Sequence, residues 1–339
     1  SMDASPASAG SAAPSSSRWT AGQLRALSDL SLPDEILYIT SDRILTARRD
    51  DAQKTLLLQS YDYDGTLLAE RTFSALNING FLSAPRCTAY GFALTAGTGY
   101  EVYDYDFRLL YSFDMADIPA GYQAVTGQYS AQRNGEESNV SVFVPYDPDG
   151  RFSSNLQYFY CNIYVEDEGL SVPEGWLYDS TSGQWSLIFH NSLPYEELVN
   201  LHFYTAIPSN DGRTLMFSAG YYESETAMQP GYSKASCGYG LFSAETGEIL
   251  SLKNGSPASM TGADNRFLAD LDLPAREPRY AVILDGSAQA ETVVSLDCES
   301  QWYYSRISPD GRFVVSCDEY PEERAWYYRV YDLEKNTVS

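Results

Sequence analysis

The sequence predicts an all-β protein made of repeated strand pairs, and three observations carry that prediction. The first is a stretch that occurs twice. Tyr61-Asp62-Tyr63-Asp64-Gly65-Thr66-Leu67-Leu68 returns 42 positions later as Tyr103-Asp104-Tyr105-Asp106-Phe107-Arg108-Leu109-Leu110, the sequence distance expected between successive blades of a propeller. Each copy reads as two strands joined by a polar turn, with an aromatic leading in and an aliphatic pair leading out. The second is that looser hairpins of the same kind follow at 176–188, 241–250, 282–294 and 330–338, which makes six.

The third is an Asp-Gly-Arg turn upstream of most hairpins. Ser308-Pro309-Asp310-Gly311-Arg312-Phe313-Val314-Val315-Ser316 is the sharpest copy, and Ser209 to Phe217 is the next. Tyr146 to Arg151, Ala263 to Leu268 and Ser41 to Leu45 are weaker copies. Asp-Gly pairs suit tight turns between antiparallel strands because glycine accepts positive φ. A turn, a strand, a connection and a hairpin describe one four-stranded antiparallel blade. Six such units predict a six-bladed β-propeller, or a seven-bladed one if the third blade hides another.

Ser308 to Ser316 resembles the Ser-Pro-Asp-Gly-Arg repeat of TolB-like, WD-type propellers, also seen in the propeller domains of prolyl oligopeptidase relatives. The resemblance implies the fold. Members of that family do very different things, so it implies no activity and no functional residues.

In chain order, residues 1–20 read as a flexible tether and 21–339 as a single propeller domain. Asp3 to Ser17 is almost wholly Ala, Ser, Pro and Gly, a composition that cannot pack. Such a tether commonly follows the lipid-modified cysteine of a bacterial lipoprotein. The expectation is therefore an export signal upstream and an extracytoplasmic, membrane-tethered location. Ala21 to Leu30 carries leucines at helical spacing, enough for one short helix.

Blade one is expected from Ile36 to Phe73 and blade two over 80–115, with strands at Ala89 to Thr95, Glu101 to Tyr105 and Leu109 to Phe113. Blade three is swollen, over 120–192, with 128–139 and 166–175 read as insertions. Blade four spans 200–252 and carries a loop from Tyr221 to Tyr239. Blades five and six span 257–297 and 300–339, and residues before Ile36 are expected to complete the last blade. Long insertions are where function concentrates, so those of blades three and four lead as binding regions.

Acidic residues number 46 against 22 basic ones, a formal net charge of −24. That field repels nucleic acids and anionic membrane surfaces. The chain has no apolar run long enough to span a bilayer. Five cysteines, none in a Cys-x-x-Cys pair, fit small buried residues better than a disulfide frame or a zinc ribbon.

Several constellations point to chemistry and are outweighed. Asp62-Tyr63-Asp64-Gly65-Thr66-Leu67 matches the signature of haloacid-dehalogenase-type phosphatases, in which the first Asp is the nucleophile. The copy at Tyr103 keeps both aspartates but replaces Gly-Thr by Phe107-Arg108, so the stretch behaves as a turn. Asp147-Pro148-Asp149-Gly150-Arg151 places an arginine where a calcium loop needs an oxygen. His190 and His202 are the only histidines, too few for a zinc cluster. No Gly-x-Ser-x-Gly elbow accompanies them, and a polar residue at a strand end is the expectation for each. Ser180 to Trp185 is faintly similar to the aspartate-box turn of sialidase propellers but lacks its central Asp.

Aromatics remain. Tyr221, Tyr222, Tyr232, Tyr239, Trp302, Tyr304 and Trp326 are the candidate binding residues, since exposed Tyr and Trp stack on sugars or anchor proteins. Adjacent strand residues face opposite sides, so one of each pair belongs to the core. The functional expectation is a monomeric, non-catalytic binding module for a protein, peptide or glycan, using no cofactor and no metal. The alternatives are a propeller hydrolase or lyase with carboxylates in its central pocket, and the sensor ectodomain of a signalling protein.

Overall fold

The computed structural model describes residues 32–77, 80–119, 130–133, 136–139, 141–142, 152–167, 170–224, 235–271, 280–286, 290–295, 303–320, 325–335 and 337–338. Blade one is β1 (Glu35–Ile39), β2 (Ile44–Asp50), β3 (Thr55–Tyr61) and β4 (Leu67–Phe73). Blade two is β5 (Arg86–Cys87), β6 (Phe92–Ala96), β7 (Gly99–Tyr103) and β8 (Leu109–Asp114). A separate pair, β9 (Ser130–Arg133) and β10 (Glu136–Asn139), precedes blade three. That blade is β11 (Ser141–Val142), β12 (Tyr158–Asp167), β13 (Leu170–Asp179) and β14 (Gln184–His190). Blade four is β15 (Val199–Pro208), β16 (Thr214–Tyr222), β17 (Ser236–Ser243) and β18 (Glu248–Asn254). Blade five is β19 (Pro257–Ala263), β20 (Arg266–Leu271), β21 (Tyr280–Asp285) and β22 (Ala290–Ser295). Blade six is β23 (Tyr303–Ile307), β24 (Phe313–Tyr320), β25 (Ala325–Asp332) and β26 (Thr337–Val338).

Each blade is an antiparallel meander of four consecutive strands. Contacts between blades run through the inner strands, β15 meeting β19 and β19 meeting β23, with the second strands β12 and β20 reaching the first strands β15 and β23 of the next blades. The first strands therefore border the axis. The fold is a six-bladed β-propeller.

Strand alternation builds the core. Successive side chains point to opposite faces of a blade, so blades two to five each pack on both neighbours. In β12, Phe159 and Cys161 belong to the cluster shared with blade two, while Tyr160 between them belongs to the cluster shared with blade four. Five clusters fill the five interfaces from blade one to blade six. Aromatics dominate them: Phe203 stacks on Phe217 at 4.2 Å, and Phe113 on Tyr178 at 4.6 Å. Each fully buried side chain of this size contributes about 1.5–3 kcal/mol.

The repeat is explained by its hydrogen bonds. Asp62 Oδ1 accepts from the amides of Asp64 and Thr66, at 2.9 and 2.8 Å. Asp104 Oδ1 accepts from Asp106 and Arg108, both at 2.9 Å. The second tyrosine of each copy reaches the first turn of its own blade: Tyr63 donates to Thr40 O, and Tyr105 donates to Thr88 O at 2.5 Å. Such side-chain closures are what favour aspartate in turns. Gly65 takes φ +83°, and Phe107 occupies the same position at φ +60°. A phenylalanine tolerates the left-handed region here because its ring is buried against Phe73 and Phe92.

The Ser-x-Asp turns share a second device. Ser308 Oγ donates to Asp310 and accepts from Phe313 N at 2.8 Å; Ser209 Oγ donates to Asp211 and accepts from Thr214 N at 3.0 Å. In blade three Ser153 plays this part, donating to Asn155 and accepting from Tyr158 N at 2.9 Å. The turn expected there at Tyr146 to Arg151 is thus made at 153–158. Residues 146–151 lie outside the described residues.

Other expectations are corrected. Residues 166–175 are not an insertion. β12 and β13 pair continuously from Tyr158↔Asp179 to Asp167↔Leu170. Part of 128–139 forms β9 and β10 rather than plain loop. The strand expected from Ala89 starts at Phe92, since Thr88 N bonds Gly91 O at 2.8 Å and makes 88–91 a turn. Tyr221 and Tyr222 end β16 and Tyr239 lies in β17, so the blade-four loop is confined to 223–235. Glu35 to Ile39 belongs to blade one, and the fourth strand of blade six is the two-residue β26; residues 1–31, expected to complete that blade, lie outside the described residues. The helix expected at Ala21 to Leu30 and the tether lie outside the described residues.

Candidate functional site

In a four-stranded meander the first and third turns emerge on one face. The Ser-x-Asp turns and the Asp turns therefore share a face of the ring, called here the turn face. The second turns and the blade-to-blade connections lie on the other, the far face.

The turn face is bound together by its own polar groups. Ser154 of blade three donates its hydroxyl to Asn210 Oδ1 of blade four at 2.9 Å. The amide and side chain of Asn155 bond the same asparagine at 2.9 and 3.1 Å. Ser154 Oγ also accepts from Asp264 N of blade five at 3.1 Å. Blades three and five are not neighbours, so their first turns meet by leaning in front of blade four, which narrows the axial mouth from that side.

The arginines of these turns hold turns, too. Arg43 donates to Tyr105 O at 3.1 Å and Asp106 at 2.5 Å in the next blade. This contact holds the Asp106 carboxyl below its ordinary range. Arg266 joins Asp285 at 3.3 Å to Gly311 O of blade six at 3.0 Å. Arg312 grips Asp332 through two bonds of 3.2 and 2.7 Å. That pair is the first cause lowering the Asp332 pKa to about 2.

Two buried polar residues bolt one blade to the next. Asn162 of β12 donates to Phe203 O at 2.7 Å and Tyr204 O at 2.9 Å. β15 carries a bulge between Phe203 and Thr205, so the amide satisfies carbonyls at a break in the ladder. Asp270 of β20 accepts from Ser305 N at 2.9 Å, from Ser259 Oγ at 3.0 Å and from the Ser305 hydroxyl. Burial pushes its carboxyl up, against these hydrogen bonds.

Both histidines are placed. His190 ends β14, where Nδ1 meets Oε1 of the buried Glu174 at 2.7 Å; Trp176 Nε1 donates to the other oxygen at 3.1 Å. The His190 side chain is one-third exposed. His202 lies in β15, its Nδ1 2.9 Å from Asn200 O and its ring perpendicular to that of Tyr204, centroids 5.4 Å apart.

The candidate aromatics separate. Tyr221 and Tyr239 are buried at 3% and 4% exposure in the clusters on either side of blade four. They therefore do not form an exposed surface, because strand alternation turns both inward. Tyr222, next along, is half-buried opposite Val199. Tyr304 lies in β23 opposite Cys317, and Trp326 in β25 opposite Glu319. Tyr232 and Trp302 lie outside the described residues. Among the described side chains, Tyr221 and Tyr239 lie inside the blade interfaces and Tyr222 is half-buried.

What sequence reasoning missed is Tyr204, which is 45% exposed on a first strand, beside His202. The run Leu201-His202-Phe203-Tyr204 alternates, a signal that could have separated two outward residues from two buried ones. Also missed is that the aliphatic pairs of the repeat, Leu67-Leu68 and Leu109-Leu110, stay exposed. They begin the outer strands β4 and β8, which have a neighbour on one side only.

Among the described residues no group of three or more His, Cys, Asp or Glu could hold a metal ion. Cys87, Cys161 and Cys237 are unbridged. No helix among the described residues is long and apolar enough to cross a membrane.

No family model matches the chain, and no curated protein does. Solved propellers resemble it in fold. TolB from Acinetobacter baumannii is 10% identical with a TM-score of 0.37, covering 88% of this chain and 68% of that one. The tricorn protease is 11% identical with a TM-score of 0.44, over 88% of this chain and 30% of its own. The β-propeller domain of the Trilobed protease from Pyrococcus furiosus is 9% identical with a TM-score of 0.36, over 89% and 72%. Likenesses this distant bear on neither activity nor partner.

Proposed function

We propose that this chain is a non-catalytic binding propeller that works outside the cytoplasm, held to a membrane by its N-terminal segment. It engages a protein, peptide or glycan on a rigid ring. The observation that carries the reading is the turn face, where the chain's own backbone leans over the axial mouth through Ser154, Asn210 and Asp264. The carboxyls with shifted pKa support it. Asp106 and Asp332 are spent on arginines, Asp62 on turn amides and Asp270 on serines of the adjoining strands. The extracytoplasmic part of the reading rests on the composition of Asp3 to Ser17.

The test is a paired assay on the purified protein. Peptides, oligosaccharides and esters are offered both as ligands and as substrates. Retention without turnover is the expected result. Turnover that disappears with a carboxylate substitution on a first strand overturns the reading in favour of a hydrolase. Fractionation of the source cells tests location, and recovery in the cytosol rejects the tether.

One observation favours a second reading. A buried glutamate fixing one nitrogen of a partly exposed histidine is the way enzymes orient a general base. Turnover in the assay above that His190→Ala abolishes, with the fold intact by circular dichroism, would establish it.

A further inference from the structure

The bulge in β15 does more than relieve the ladder. β-bulges re-aim side chains and recur beside binding sites. Here the bulge residue is Tyr204, and its carbonyl is held by Asn162 from the neighbouring blade at 2.9 Å. The far end of its ring rests where a side chain is missing. A Cβ on Gly220 would lie 2.1 Å from Tyr204 Oη and 2.5 Å from Cζ. Two fixtures, one from each side, therefore set the attitude of a tyrosine that stays 45% exposed.

His202 completes the ledge. Its ring stands perpendicular to that of Tyr204, and Nδ1 donates to Asn200 O at 2.9 Å. In the neutral ring that leaves Nε2 as an acceptor. The ledge lies on a first strand and so borders the axis. The turn face is narrowed beside Asn210 of the same blade, so a ligand approaches from the far face. Glu196 and Glu197, exposed in the segment leading to β15, stand on that approach.

We propose that Tyr204 and His202 bind the flat face of a neutral sugar ring, with Tyr204 as the stacking platform and His202 Nε2 accepting from a hydroxyl. The inference rests on the binding reading above and names its ligand class. An amphipathic ring presents an apolar face to a sugar and a polar edge to its hydroxyls. The chain's net charge of −24 and the two glutamates disfavour anionic ligands.

The test uses the whole chain and five neutral probes: hexamers of glucose in α-1,4 and β-1,4 linkage, and of N-acetylglucosamine, xylose and mannose. Retention on the immobilised probes is measured by affinity electrophoresis and then by calorimetry. At least one hexamer is expected to bind. Tyr204→Ala should weaken it about tenfold or more, as loss of a central aromatic anchor does. Gly220→Ala, which keeps the tyrosine but displaces its ring, should weaken it as well. Both variants should keep the wild-type melting temperature to within a few degrees, because the side chain is half in solvent.

Failure of all five probes overturns the inference, as does binding that Tyr204→Ala leaves unchanged; the latter leaves the binding reading standing. Tyr204-dependent retention of a lysine-rich peptide with none of the sugars replaces the sugar by a cationic partner. Cleavage of a hexamer overturns the binding reading itself.

Discussion

Replacing Asn162 by aspartate isolates one bolt of the ring. The substitution exchanges the amide –NH2 for a carboxylate oxygen with almost no change of volume. It removes both donations from the Asn162 amide, to Phe203 O and Tyr204 O, while the Tyr160 hydroxyl keeps an oxygen to donate to. A buried acceptor left without its donor costs about 1–3 kcal/mol, and Phe203 O is the buried one of the pair, so a loss of at least about 1–3 kcal/mol is expected. A carboxylate facing two carbonyl oxygens adds repulsion. Asn162 is 3% exposed, so water reaches the Phe203 oxygen only if the blades part. Equilibrium unfolding in urea, followed by tryptophan fluorescence, reads the loss as a lower midpoint at an unchanged slope. A variant within about 0.5 kcal/mol of wild type, the range of ordinary surface changes, would refute the idea that side-chain bolts hold blade three to blade four.

Three further outcomes follow from the same hydrogen bonds and packing. Phe107→Gly relieves a left-handed backbone worth about 1–2 kcal/mol but removes a buried ring worth about 3–5 kcal/mol. A net loss of about 1–4 kcal/mol is expected in the same urea assay. Asp332 has a folded pKa lowered to about 2, so its stabilisation is complete above the ordinary carboxyl value of about 4 and disappears as pH falls from there. Asp332→Asn should therefore flatten that part of the acid-unfolding curve. Asp270 titrates in the opposite sense. Its folded pKa is raised, so the fold is favoured while it is protonated and loses that advantage as pH rises through the ordinary value toward the folded one. The cost of Asp270→Asn, measured from pH 4 upward, should shrink.

Most of the fold was legible because propeller blades are locally closed. Asp62 and Asp104 bond amides two and four positions on, and Ser209 and Ser308 bond amides five positions on, so short motifs report whole turns. Blade three was misread where this locality fails. Its first turn keeps the serine but replaces Gly by Leu156, which takes φ +61° while 2% exposed; burial, invisible in a single sequence, holds it there. Residues 166–175, which include Glu166, Asp167 and Pro173, likewise read as an insertion. They lie in a long hairpin whose pairing, Tyr164↔Pro173 and Val165↔Val172, no local pattern displays.

The candidate site was harder. Tyr221 and Tyr239 attracted notice as aromatics beside a long loop, but their parity within β16 and β17 turns them inward. Tyr204 sits in a run that reads as plain alternation. Its outward pose depends on one bulge, on an asparagine 42 positions earlier in another blade and on the absence of a side chain at Gly220. Those are distant conditions, and no short motif can carry them.

The six sheets, each made only of its own consecutive strands, have a mechanical consequence. Going round the ring, every blade is covalently joined to the next except at one joint, between the sixth and the first. Among the described residues no strand crosses that joint and no shared apolar cluster fills it. A pull on the two chain ends, or a brief thermal opening, meets its lowest resistance there. Amides of β1 and β26 should thus exchange with solvent before those of β12 or β16. A clasp that parts at one seam lets the other five stay shut, and loss of structure can advance from that seam one blade at a time.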